Sequence, residues 1–118
     1  MTTMKRNTDS IQPHELWEVK DYSEIMDINL KSRARDRQTV WARYAVWLYL
    51  MEECGAKLID ISRLFGWHHS SIIYGVEQIK EKLQINDSLA REQALRIYRA
   101  DPHERRPIQK GRARAWLK

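Results

Sequence analysis

Four consecutive side chains, His68-His69-Ser70-Ser71, group short hydrogen-bonding chemistry over one helical turn. Serine hydroxyls donate or accept at base edges and phosphates. A helix that starts here also presents free backbone N–H groups to anions. Paired histidines raise the question of a metal. Neighbours on a helix point about 100° apart, and no Asp, Glu or Cys lies three or four positions on, so no metal site is expected. The one cysteine, Cys54, follows an apolar run, has no base near it in sequence, and is expected to be a small buried hydrophobe rather than a nucleophile. No Gly-rich phosphate loop and no acid–base–nucleophile set is visible. The expectation is a non-enzyme without a cofactor.

The second feature is positive charge. Lys31, Arg33, Arg35, Arg37 and Arg43 are opposed in their stretch only by Asp36. Residues 103–118 carry Arg105, Arg106, Lys110, Arg112, Arg114 and Lys118 against Glu104 alone, which equals the whole formal net charge of +5. The remainder of the chain is neutral. The 103–118 segment has too few apolar residues to fold alone. It is read as an arm along a phosphate backbone, with a solubilising tail as the plainer alternative. Trp116 within it is a candidate docking element for a protein partner.

These groups need elements to hold them. Residues 1–12 read as a flexible leader. Pro13-His14-Glu15 can open a helix, and Leu16, Trp17, Val19, Ile25, Met26, Ile28 and Leu30 supply one or two short helices. The spacing of Val40, Tyr44, Trp47/Leu48 and Met51 predicts a helix over about 38–53, apolar nearly all round and therefore central. Gly55 suits its C′ position. Further helices are predicted over 58–65 (ended by Gly66), about 69–83 and 89–99, with Asn86-Asp87-Ser88 as the intervening cap cluster. No segment alternates with the period of a strand. The fold class is all-α: a small helical bundle over 13–100, followed by a basic tail at 101–118 that is expected to be disordered.

The unit 58–83 is a short helix, a glycine turn and a longer helix with a polar N-terminal face. That is the outline of a helix-turn-helix, although any helical hairpin contains such a turn. The residues also carry a resemblance. Lys31-Ser32-Arg33 through Val40-x-Ala42-Arg43, then Leu58-Ile59-Asp60-Ile61-Ser62-Arg63-Leu64-Phe65-Gly66, then His69-Ser70-Ser71-Ile72-Ile73-Tyr74-Gly75-Val76-x-x-Ile79 are similar to the C-terminal DNA-binding domain of the bacterial replication initiator DnaA. The similarity spans about residues 25–85 and is closest to stand-alone variants lacking one glycine of "FGGRDH". It implies major-groove contacts by His68, His69, Ser70 and Ser71, and backbone or minor-groove contacts by Arg33, Arg35 and Arg37, without saying which arginine enters the groove. Tyr74 is a further major-groove candidate, Arg43 a further backbone candidate, and Ser62 and Arg63 are candidate phosphate contacts.

The departures matter. The family's Arg-Asp pair is Trp67-His68 here. Aspartate caps a helix and accepts from cytosine, whereas histidine is expected to cap poorly, so a changed or weakened base preference is expected. Trp67 is expected to pack over the turn in preference to stacking on a sugar, and Trp41 and Trp47 to be core. No ATPase module lies in these 118 residues, so a nucleotide-switched initiator is not expected. The longest apolar run is too short to span a membrane, and MTTMKRNTDS is not a secretory signal. A cytoplasmic protein that binds double-stranded DNA, in a bacterium, phage or mobile element, is the primary expectation. It would serve transcription or replication. The alternative is a helical protein–protein interaction module reusing the same surface.

Overall fold

The computed structural model describes residues 11–104. A 3-10 turn at Pro13–Glu15 precedes five helices: α1 Val19–Met26, α2 Arg37–Leu48, α3 Leu58–Phe65, α4 His69–Gln84 and α5 Ser88–Ala100. A π-helical turn, Tyr49–Glu53, extends α2. No strand occurs among the described residues, and none of their helices is long and apolar enough to cross a membrane.

Local chemistry sets the boundaries. Asp36 caps α2, its carboxylate accepting from the N–H and hydroxyl of Thr39 at 3.1 and 3.0 Å. Those two donors hold the Asp36 carboxyl below the usual carboxylate range. Asp87 caps α5 in the same way, accepting from Ala90 N–H at 3.0 Å. Gly66 ends α3 with φ 72°, a left-handed conformation in which a β-carbon is strained. Gly55 adopts φ 68° after the π turn.

The apolar girth of α2 makes it the hub. It packs most extensively on α5 and α4, and Ala42, Ala45, Val46, Trp47, Leu48, Tyr49 and Leu50 are buried in one core with Ile61, Ile72, Ile79, Ala94 and Ile97. Trp41 is in that core as well, and so is Cys54.

The α2–α4 contact is unusually close. A β-carbon placed on Gly75 would lie 2.6 Å from the ring of Tyr44 and 3.1 Å from Trp47. The glycine is therefore what allows the Tyr44 ring to lie against the α4 backbone.

Both ends of the described chain depart from expectation. The loose leader does not extend through residue 12: Ile11 is 2% exposed and its N–H donates to Cys54 O at 2.8 Å. Residues 13–18 form only the single 3-10 turn before α1, because the apolar side chains there are too few and too scattered to bury a helical face. Nor does a free tail begin at residue 101. The Tyr49 hydroxyl donates to Asp101 Oδ1 at 2.8 Å and accepts from His103 N–H at 3.2 Å. The imidazole of His103 meets the Tyr22 hydroxyl at 2.8 Å, and Tyr22 also accepts from Trp17 N–H at 3.1 Å. Polar residues that look like tail are thus fastened by buried tyrosines. Arg105, Arg106, Lys110, Arg112, Arg114 and Trp116 lie outside the described residues.

Gly75→Ala tests the close approach. It should lower stability by about 1–2 kcal/mol in urea unfolding, because overpacking outweighs the gain of about 1 kcal/mol in helix propensity. In a Tyr44→Ala background the cost of the same change should shrink, leaving only the 3.1 Å approach to Trp47.

Candidate nucleic-acid interface

The turn between α3 and α4 is only Gly66-Trp67-His68, and the carbonyl of each of its residues accepts a hydrogen bond. Ser62 Oγ donates to Trp67 O at 2.6 Å. Arg33 Nη2 donates to Gly66 O at 2.9 Å. The guanidinium carbons of Arg33 and Arg43 lie 4.1 and 4.6 Å from the centre of the Trp67 ring. The same indole meets Trp47 edge-on, with centroids 5.8 Å apart. Trp67 therefore packs over the turn and joins it to α2 and to the basic loop before α2. Each cation–π contact contributes on the order of 0.5–2 kcal/mol, depending on how dry it is.

His68 overturns one expectation. It is the N-cap of α4, and its Nδ1 accepts from Ser70 N–H at 3.1 Å. A neutral imidazole with its proton on Nε2 offers an acceptor where the resembling family has a carboxylate. Histidine therefore caps this helix, but through a single uncharged acceptor. Ser71 N–H and Ile72 N–H both turn back to His68 O. Of the first α4 N–H groups, only that of His69 is left without a partner among the described residues.

The remaining side chains of this end face outward. His69 and Ser70 are exposed, Ser71 is half-buried and Tyr74 is 58% exposed. The hydroxyls of Ser70, Ser71, Tyr74 and Tyr44 make no hydrogen bond among the described residues. Together with Trp47 and Trp67, these four residues line an open pocket of about 260 Å³. Further along the Tyr74 face of α4 come the exposed carboxylates Glu77 and Glu81. These two carboxylates put negative charge on that face beyond the first two turns of the helix.

Two predicted contacts are withdrawn. Arg43 is only 4% exposed, and its Nη1 donates to Ser32 O at 3.0 Å. Burial, more than the nearby Arg33, pulls its pKa below the ordinary arginine value. It cannot reach a phosphate. Ser62 has one hydroxyl proton, and the Trp67 carbonyl already takes it, so nothing is left to donate to a phosphate oxygen. Arg35, Arg37 and Arg63 are exposed. None of Arg33, Arg35, Arg37, Arg43 and Arg63 forms an ion pair among the described residues. Asp36, the acid in their midst, is held by Thr39.

Sequence reasoning missed Tyr44 and Trp47 as pocket walls, because both fell on the apolar pattern of α2. A helical glycine directly after Tyr74 was the available signal, since glycine is unfavourable in a helix unless something lies close.

Over 69 residues the chain is 35% identical to the chromosomal replication initiator protein DnaA of Chloroflexus aurantiacus, a match covering 58% of this chain and 14% of that protein. Over 64 residues it is 34% identical to the protein of the same name from Chloroflexus aggregans, covering 53% of this chain and 13% of the relative. The chain thus matches about one-seventh of the length of these curated relatives. No family model and no solved structure matches it.

Removing the Trp67 ring should release both arginines. Trp67→Ala is expected to cost about 2–4 kcal/mol in chemical unfolding and to accelerate trypsin cleavage after Arg33 and Arg35. Trp67→Phe should keep the loop protected.

Proposed function

We propose that this chain binds double-stranded DNA, with the first two turns of α4 in the major groove. His69, Ser70, Ser71 and Tyr74 are the base-facing set, and His68 holds the helix end on which they stand. Arg35 and Arg37 reach the backbone or the adjacent minor groove. Arg33, exposed but tethered to Gly66 O and Trp67, sets the path of that loop, and Arg63 approaches a phosphate from α3. The carrying observation is the pairing of uncommitted hydroxyls at one helix end with arginines that lack a carboxylate partner, joined through Trp67. Similarity to a replication initiator is consistent with a role in bacterial, phage or mobile-element replication or transcription.

Arg105, Arg106, Lys110, Arg112 and Arg114 are proposed as further phosphate contacts. Support comes from where the described chain leads. The His103 ring lies 5.9 Å from that of Tyr22, which stacks 6.3 Å from Phe65, the last residue of α3. His103, two residues before Arg105, is thus linked through Tyr22 to the end of α3.

Fluorescence anisotropy with duplex DNA tests the reading. Affinity should fall by orders of magnitude between about 50 and 200 mM salt, since each neutralised phosphate contributes about −0.9 to the slope of log K against log salt. Truncation after Glu104 should weaken all sequences alike and flatten that slope. Absence of binding at the lower salt would overturn the reading in favour of a protein-interaction module.

Base contacts need a separate measurement. After selection from random duplexes, His69→Ala combined with Ser71→Ala should erase discrimination between selected and unselected sequences, at about 1–3 kcal/mol per lost base contact. The salt slope should be left nearly unchanged.

A further inference from the structure

The pocket beside the α4 N-terminus is built unlike a surface that reads base edges alone. Four of its six lining residues are aromatic, but Trp47 is fully buried and Trp67 has Arg33 and Arg43 over its ring, so the rings open to a guest are those of Tyr44 and Tyr74. An intact duplex presents edges and thymine methyl groups in its major groove, while the base faces stay stacked on one another. A methyl group is about the size of a water molecule, which occupies roughly 30 Å³ in the liquid. The pocket is about 260 Å³, far more than a methyl fills. Aromatic walls bind bases through their faces, and do so with little sequence preference.

The polar groups sit where such a guest would need them. Ser70 and Ser71 supply uncommitted hydroxyls on one side, and the Tyr44 and Tyr74 hydroxyls are equally uncommitted among the described residues. The exposed Arg33 beside Trp67 favours an occupant carried on a phosphate chain over an apolar peptide. Gly75 is what lets the Tyr44 ring lie along α4, so the wall depends on a residue with no side chain of its own.

We propose that this pocket receives one unstacked nucleobase of the bound DNA. Its ring packs against the tyrosines, and Ser70 and Ser71 reach its hydrogen-bonding edge. This rests on the DNA-binding reading of the same face and deepens it. Extrusion is least unfavourable for a base already mismatched, bulged or single-stranded. The protein should therefore prefer DNA distorted at one position.

The test compares anisotropy titrations of the full chain with a paired duplex and with the same duplex carrying one unpaired base. A parallel measurement places 2-aminopurine at that position and follows its fluorescence. The bulged DNA should bind about 10-fold tighter, and the probe emission should change on binding. Tyr74→Ala should reduce the preference about 5-fold or more, the lower end of what a stacked base contributes, whereas Tyr74→Phe should retain it. Tyr74 is exposed, and thermal unfolding of both variants should match that of the parent chain. Equal affinity for both DNAs overturns the pocket while leaving duplex binding intact, as does a preference that survives Tyr74→Ala unchanged. Failure to bind either DNA overturns the proposed function itself.

Discussion

A guanidinium buried without a carboxylate must find its compensation in dipoles and rings, and Arg43 is in that position. Its Nη1 takes the carbonyl of Ser32, its face lies over Trp67, and its buried Nε has no partner among the described residues. Desolvating such a charge is unfavourable by several kcal/mol unless its surroundings are well ordered. The ordering falls on three segments at once: α2 carries the charge, the basic loop supplies the carbonyl, and the α3–α4 turn supplies the ring. Arg33 adds a second cation to that ring and fixes the loop to Gly66. The relative position of loop and helix end is therefore a consequence of one buried charge and not of loop length.

Around that point polar groups divide by commitment. Ser62, His68, Asp36 and Arg43 are engaged inside the fold, and they hold geometry. His69, Ser70, Ser71, Tyr74, Arg35 and Arg37 point outward. Asp36 illustrates the division. Within the arginine cluster its carboxylate caps α2 through Thr39 and forms no ion pair with the neighbouring arginines among the described residues. The exposed acids Glu77 and Glu81 limit the useful surface from the other end.

Much of this was legible in sequence because the signals were local. The period of α2, the glycine stop at Gly66, the cap at Asp87 and the helix over residues 58–65 all depend on neighbours within a turn or two. The site was less legible. Whether an arginine is buried depends on what packs over it, and no spacing rule assigns Trp67 to Arg33 and Arg43. The capping role of His68 was misjudged because propensity averages over tautomers, and a neutral ring in the right rotamer has its acceptor where the cap needs one. The Tyr44 wall was hidden because an aromatic at helical spacing reads as core, and only Gly75 on the facing helix turns it toward the surface. Asp101 and His103 were read as tail because their partners, Tyr49 and Tyr22, are more than fifty residues away.

Those same contacts close a circuit around the π turn. Ile11 is tied to Cys54 just past its end, and Asp101 and His103 are tied to Tyr49 at its start. The two extremities of the described chain are thus joined across five residues of one helical turn. Both ends of the described chain therefore bear on the same helical turn, and loosening that turn would loosen both at once.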